Sequence, residues 1–226
     1  MKKTVKSPAP RREFLQSISV GSAALLAGGL TTTKAAAIPR DIHSNVVASD
    51  DWADRIHGEH RQVFDLVETN SGLGAAYTMN FLTSFKAAHP DTSDDDLCAV
   101  AVFRHNAFAM VLNDHIWAKY KLGEFFGVTD PETDAPAVRN IFRGNIPLQP
   151  GLTYEGMIAE KGVIIVACSV AWDVYSMLTA PNAGVTHEEA KAEWAENTLD
   201  GVVLVASGVY GVHRAQEHGC SYCYAG

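Results

Sequence analysis

Three motifs that define large enzyme and nucleotide-binding classes are missing from this chain. It has neither a Gly-x-Gly-x-x-Gly segment nor a Walker motif, both of which bring backbone N–H groups against phosphates. It also lacks the Gly-x-Ser-x-Gly segment that exposes a nucleophilic serine in α/β-hydrolases. Nucleotide binding and serine-hydrolase chemistry therefore have no support in the sequence.

Cysteine is scarce as well. The 226 residues include only four, which are Cys98, Cys168, Cys220 and Cys223. A disulfide-stapled protein needs a much higher density of cysteine, so a hydrophobic core must hold this fold together.

Basic side chains are outnumbered by acidic ones. Lys and Arg number 18 against 26 Asp and Glu, which gives a net charge of −8. Six of the basic groups and only one acid lie in residues 1–37, so a chain that begins at Ile38 keeps 12 basic and 25 acidic groups and carries a net charge of −13. Such a balance argues against binding to nucleic acid or anionic lipid.

The start of the chain is typical of an export signal. Early lysines precede Arg11-Arg12 and Phe14-Leu15, and a short Gly/Ala-rich apolar stretch then leads to Ala35-Ala36-Ala37. This order predicts a signal peptide over residues 1–37, recognised by the twin-arginine translocase and removed before Ile38. Neither the apolar stretch nor any later run is suited to spanning a bilayer. We therefore expect a periplasmic protein that leaves the membrane after cleavage.

Beyond an extended lead-in over residues 38–59, with a short helix near 51–56, apolar runs alternate with segments of helical period. The apolar runs predict strands at 62–67, 97–103, 163–167, 202–206 and 220–224. A helix is predicted after the second strand, with Phe108, Val111, Leu112 and Ile116 on one side, and a helical turn is predicted at residues 138–142. Thr186 and Glu189 form a capping box that predicts the start of another helix. The alternation predicts an α/β domain over residues 60–226. We expect a three-layer sandwich with a mainly parallel sheet of about five strands, covered by helices on both faces.

Cys168 stands where a strand gives way to a helix. Residues 163–167 form an unbroken apolar run, as in a strand buried on both faces, and Ser169 is predicted to cap the following helix. The unpaired N–H groups and partial positive charge of a helix N-terminus favour a thiolate. The alternative is a buried core cysteine, because free cysteine is among the most buried residue types.

Several polar residues follow the predicted strands. Ligands of parallel α/β sheets bind outside the carboxyl ends of the strands, so these residues are candidates for one site. Cys168, His105 and Arg104 are the candidate catalytic residues, because a thiol beside two cationic groups can be activated. The candidate anion-binding residues are Asn70, Ser71, Asn106, Ser169 and Ser207.

A second candidate is the Cys-x-x-Cys segment near the C-terminus. Such a pair suggests a redox couple or half of a metal site, with His218, Cys220 and Cys223 as its members. In an extended strand the two cysteines point to opposite faces, with Cα atoms about 10 Å apart, whereas a disulfide needs less than about 7 Å. The pair can act together only if the segment turns, so no metal or other cofactor is firmly assigned.

Three segments resemble the DsrE/DsrF-like sulfur-relay family, small α/β proteins related to the TusBCD proteins. Val163–Ala171 resembles the family's strand that ends in a sulfur-carrying cysteine, and Phe103–Ala107 resembles its second strand-to-helix turn. Val203–Gly219 resembles the segment in which Ser-Gly-Val leads into a helix ending in Gln-x-x-Gly. The export signal, an insertion near residues 119–152 and the Cys220/Cys223 pair depart from the family pattern.

The resemblance implies a persulfide on Cys168 that is passed between partner proteins in an oligomer. We therefore expect a homo-oligomer, with a sulfur donor or acceptor protein as a further partner. The leading hypothesis is therefore sulfur transfer or thiol redox chemistry at Cys168, assisted by His105 or Arg104. The alternative is a non-catalytic periplasmic module that binds a small anion or a metal, in which His105, His218, Cys220 and Cys223 matter more than Cys168.

Overall fold

The computed structural model of the protein describes residues 50–144, 146–149 and 151–226. The predicted signal peptide, residues 1–37, and the lead-in up to residue 49 lie outside the described residues. The short helix predicted near residues 51–56 is present as a 3-10 helix, Asp50–Arg55, in which Trp52 and Ala53 are buried.

All five predicted strands are present, with their ends shifted by up to two residues. In chain order the strands are β1 (His60–Leu66), β2 (Leu97–Phe103), β3 (Thr129–Asp130), β4 (Ala135–Pro136), β5 (Ile164–Cys168), β6 (Val203–Val205) and β7 (Ser221–Tyr224). The α-helices are α1 (Leu73–Ala88), α2 (Asp114–Lys119), α3 (Leu122–Phe126), α4 (Tyr154–Ala159), α5 (Ser169–Ala183), α6 (His187–Glu196) and α7 (Gly208–Glu217). Shorter 3-10 helices cover Asn70–Gly72, Asp94–Asp96 and His105–Val111.

The main sheet has the order β6-β5-β2-β1-β7, and all of its strand pairs are parallel. This confirms the predicted α/β architecture with a five-stranded parallel sheet. Strand β2 lies at the centre, and every one of its seven residues is buried, as its unbroken apolar sequence predicts. Strands β3 and β4 form a separate antiparallel pair inside the predicted insertion.

The direction of each crossover decides which face its helices cover. The steps from β1 to β2, β2 to β5 and β5 to β6 all run the same way across the sheet, and only the step from β6 to β7 returns to the far edge. Since crossovers between parallel strands are right-handed, the returning helix must cover the opposite face.

The core has two parts that match this rule. On one face, side chains such as Phe64, Ala101 and Ile165 pack against apolar residues of α1 to α6. On the other face, Val100 and Val166 pack with α7 and with the 3-10 helix that contains Trp52. The sheet is therefore the middle of three layers.

The prediction of one continuous helix immediately after β2 is wrong. The sequence predicted one helix with Phe108, Val111, Leu112 and Ile116 on a single side, and the chain instead forms a 3-10 helix, breaks, and starts α2 at Asp114. Two side chains explain the break.

Asn113 caps α2 by accepting the N–H of Ile116 at 3.3 Å. The side-chain amide of Asn140 donates to the carbonyls of Met110 and Leu112 at 2.8 and 2.7 Å. These carbonyls therefore have hydrogen-bond partners even though the helix does not continue. The helical turn predicted within the insertion at residues 138–142 is also wrong, because bends and turns occupy that stretch.

Within the described ranges, no helix has both the length and the apolar composition needed to cross a bilayer.

Glu193 joins α6 to α2. Its carboxylate accepts hydrogen bonds from Lys119 at 2.6 and 2.8 Å and from the Tyr120 hydroxyl at 2.7 Å, and it lies 2.7 Å from a ring nitrogen of His115. Partial burial alone would raise the pKa of Glu193, but the hydrogen bonds from Lys119, Tyr120 and His115 outweigh burial and lower this pKa to about 2.

We predict that Glu193→Gln lowers the free energy of unfolding by about 2 kcal/mol at neutral pH, because hydrogen bonds to a charged group are lost. The folded-state pKa of Glu193 is depressed from 4.5. The stabilisation is therefore complete above that value and is lost as the pH falls towards about 2. Urea unfolding across this pH range should show the two proteins converging.

Glu188→Gln on the same helix is the control, because the Glu188 side chain is 83% exposed and its loss should change stability by less than about 0.5 kcal/mol. If the free energy of unfolding of Glu193→Gln stays below that of the wild type by a constant amount as the pH falls, the stabilisation does not come from the charged Glu193 carboxylate.

Candidate functional site

A crevice opens at the carboxyl ends of β5 and β6. The chain leaves β5 through α5 towards one face of the sheet and leaves β6 through α7 towards the other face. Neighbouring strands whose connections diverge in this way form a topological switch point, the usual ligand position in parallel α/β sheets. A cavity of about 250 Å³ lies at this point, and Cys168, Arg104, His105 and Ser207 all contribute to its lining.

Cys168 is both the last residue of β5 and the N-cap of α5. Its Sγ accepts the N–H of Ala171 at 3.4 Å, and the residue is 7% exposed and contributes to the lining of the cavity. The predicted cap, Ser169, is instead the first helical residue, and its hydroxyl donates to the Ala206 carbonyl at 2.7 Å. This bond fixes the end of β6 beside Cys168 and leaves the sulfur as the acceptor for the helix N–H.

Arg104 is held in place by a buried carboxylate. Its guanidinium donates from Nε and Nη2 to the two oxygens of Asp65, at 2.6 and 2.9 Å, and the Tyr222 hydroxyl donates to Asp65 at 2.9 Å. Asp65 is only 3% exposed. Hydrogen bonds to Asp65 raise the pKa of Arg104 despite partial burial, and the charge of a Cys168 thiolate raises it further. Arg104 therefore brings a fixed positive charge to the neighbourhood of the sulfur.

Gly208 makes room for this arginine. A Cβ at Gly208, the first residue of α7, would lie 2.3 Å from the Cβ of Arg104, which is far inside van der Waals contact. The preceding residue, Ser207, caps α7 by accepting the N–H of Tyr210 at 3.1 Å. Glycine is required here for its lack of a side chain, which lets α7 begin directly against Arg104.

His105 lies at the mouth of the cavity in a strained conformation. Its φ is 49°, in the left-handed region that non-glycine residues seldom adopt, and its Nδ1 is 3.3 Å from the Glu68 carboxylate. Asn106 bridges the same carboxylate, at 2.7 Å, to the Tyr175 hydroxyl, also at 2.7 Å. Glu68, Asn106 and Tyr175 thus hold the turn that presents His105.

Two of the predicted anion-binding residues, Asn70 and Ser71, lie away from the cavity. Asn70 and Ser71 form a left-handed turn, with φ of 37° and 52°, ahead of α1. A Cβ at Gly226 would lie 3.3 Å from the Cβ of Asn70, so this turn packs beside the C-terminus rather than in the cavity lining. The sheet order explains the separation, because β2 lies between β1 and β5.

Sequence reasoning missed three polar residues of this edge, Asp65, Glu68 and Tyr175. Asp65 carries a signal that could have been used, since it is a lone charged residue within the apolar run Val63-Phe64-Asp65-Leu66. A charge inside a buried strand requires a partner of opposite charge. The sequence contains no comparable signal for Glu68 or Tyr175.

The Cys-x-x-Cys segment forms an extended strand and does not turn. Cys220 packs into the core beneath α7, whereas Cys223 packs against the core on the opposite face. His218 uses Nδ1 to bond the Arg214 carbonyl at 2.8 Å. All four cysteines are free thiols, and no three His, Cys, Asp or Glu side chains among the described residues are grouped to hold a metal ion.

Scans of the chain against models of protein families and against curated proteins found no match. The resemblance to the DsrE/DsrF-like family therefore rests on the three sequence segments alone.

The cysteines differ sharply in their surroundings. Burial raises the pKa of Cys98, and burial together with the nearby Cys98 raises the pKa of Cys220 to about 12. We predict that a small alkylating reagent at neutral pH modifies Cys168 at least about tenfold faster than Cys98 or Cys220. Only thiolates react, and the raised pKa values of Cys98 and Cys220 disfavour their thiolates.

Peptide mass spectrometry after timed quenching measures these rates, and the denatured protein, in which all four thiols should react alike, is the control. Modification of Cys98 as fast as Cys168 in the folded protein would contradict the assignment.

Proposed function

We propose that this protein is a periplasmic sulfur carrier in which Cys168 holds a persulfide. One observation carries the proposal, which is that Cys168 lines an open cavity while its sulfur accepts a hydrogen bond from the first turn of α5. A cysteine with only a packing role has no need of a cavity or of a cationic neighbour such as Arg104. The three family-like segments support the same chemistry.

The transfer step is a nucleophilic displacement at sulfur. The Cys168 thiolate attacks the outer sulfur of a donor persulfide R–S–SH, a new S–S bond forms on Cys168, and the donor S–S bond breaks. The donor leaves as the thiolate R–S⁻, and the outer sulfur keeps its proton or releases it to solvent. Delivery reverses these roles, with an acceptor thiolate attacking the outer sulfur. No external oxidant or reductant is consumed.

The surrounding groups have separate tasks in this step. The Ala171 N–H stabilises negative charge on Sγ, and Arg104, fixed by Asp65, supplies a positive charge nearby. His105, at the cavity mouth and paired with Glu68, is placed to exchange a proton with the arriving or departing sulfur.

We predict that the wild-type protein gains about 32 Da on Cys168 when incubated with inorganic polysulfide, the mass of one sulfur atom. Cys168→Ser should lose this adduct completely and remain folded, because the two side chains are similar in size. Intact and peptide mass spectrometry measure the adduct, and circular dichroism checks the fold.

Cys223→Ser is the matched control, since Cys223 is the most exposed of the four cysteines, and it should load normally. An adduct that persists in Cys168→Ser would overturn the proposal. A bound anion or metal without any sulfur adduct would favour the alternative of a binding module.

Export through the twin-arginine pathway is a separate part of the proposal. Replacing Arg11-Arg12 by Lys-Lys should leave the precursor in the cytoplasm, because the arginine pair is the address that the translocase reads. Cell fractionation with immunoblotting measures the distribution, and Lys2→Arg is the control. Normal periplasmic accumulation of the double variant would refute this route.

A further inference from the structure

The sulfur of Cys168 is recessed. The residue is 7% exposed and lines the cavity, which has a volume of about 250 Å³. Small-molecule sites in proteins commonly measure about 300–1,000 Å³, so this cavity has room for a sulfur atom and a short organic substituent. A cysteine on the surface of a rigid folded protein would have to enter this space to reach Cys168.

The cavity wall is mostly apolar. Val170, Val174 and Val209 line it together with Tyr175. Val209 is 69% exposed and Val170 is 44% exposed, so both leave apolar surface in water at the mouth. A ligand that covers these side chains gains hydrophobic free energy in proportion to the buried area.

The predicted insertion extends this wall. Helix α3 places Phe125 and Phe126 edge-on against Tyr175, with ring centroids 5.9 and 5.0 Å apart. Phe125 is itself 39% exposed. The insertion thus packs two aromatic rings, here called the aromatic rim, against Tyr175 of the cavity lining.

Arg104 and His105, the two basic side chains of the lining, already have carboxylate partners. Arg104 is bound by both oxygens of Asp65, and His105 lies beside Glu68. A ligand that carries its own carboxylates would meet these paired charges and an apolar wall, and would lose hydration without a compensating partner.

We propose that the sulfur donor or acceptor at Cys168 is a low-molecular-weight thiol with a short, uncharged apolar substituent. This inference rests on the proposed function and names its substrate class. The donor is then an alkyl or aryl persulfide R–S–SH, whose substituent R lies against the valines and the aromatic rim while its outer sulfur passes to Cys168. The product is the thiol R–SH, released through the mouth.

The test compares initial rates of sulfur loading on Cys168 from four donors. These are butyl persulfide, a tripeptide persulfide with two carboxylates, a folded protein with a surface persulfide, and inorganic polysulfide. We expect butyl persulfide to load at least about tenfold faster than the tripeptide or the protein, since a few methylene groups in an apolar pocket are worth that much. Equal or faster loading from the tripeptide or the protein overturns the inference, while loading from polysulfide upholds the proposed function.

A matched pair of variants assigns the preference to the cavity. Val209→Ser alters the wall, and Val138→Ser makes the same change at a residue that is 66% exposed and outside the lining. Val209→Ser should lower the ratio of the butyl persulfide rate to the polysulfide rate by roughly fivefold. Val138→Ser should leave this ratio unchanged. Equal ratios in both variants overturn the inference.

A binding measurement makes the inference independent of sulfur loading. Calorimetry of butanethiol with Cys168→Ser should give a dissociation constant of about 1 mM or tighter, which is attainable for a ligand of five heavy atoms. The tripeptide thiol should bind more weakly. If none of the four donors loads sulfur onto Cys168, the proposed function is refuted. If butanethiol binds no more tightly than the tripeptide thiol, the proposed substrate class is refuted.

Discussion

The ion pair between the buried Asp65 and the partly exposed Arg104 is the interaction on which the rest of this edge depends. It links β1 to the end of β2, and the Tyr222 hydroxyl ties β7 to the same carboxylate. An unpaired charge at so buried a position would destabilise the fold by about 3–5 kcal/mol, so the pair is strongly enforced once the strands are adjacent. The arginine stem then sets where α7 can begin, because Gly208 lies directly against it.

Sheet order and crossover handedness place the cavity. With β5 and β6 adjacent and their helices on opposite faces, the carboxyl edge opens between Cys168 and Ser207. Each of these two residues is the N-cap of the helix that follows it. The same backbone geometry that ends the strands thus supplies a hydrogen bond to the sulfur at the edge of the crevice. The proposed chemistry uses these features without any metal or organic cofactor in its steps.

The sequence was a good guide to features decided by neighbouring residues. Apolar runs predicted the strands, and the Thr186/Glu189 capping box starts α6 as expected. Features decided by distant residues were predicted poorly. Asn140 ends the helical segment after β2 from 28 and 30 residues away, and the partner of Arg104 lies 39 residues earlier. Asn70 follows a strand like the true lining residues do, but the sheet order that separates it from Cys168 cannot be read from local pattern.

The central claim, that Cys168 carries sulfur within this cavity, is tested most directly by a crystal structure of the protein after treatment with inorganic polysulfide. The account predicts one additional sulfur bonded to Sγ of Cys168, at an S–S distance of about 2.0 Å, with its free side in the cavity near Arg104 and His105. Additional sulfur on Cys223 alone, or an unmodified Cys168 in protein that has bound sulfur elsewhere, would contradict it.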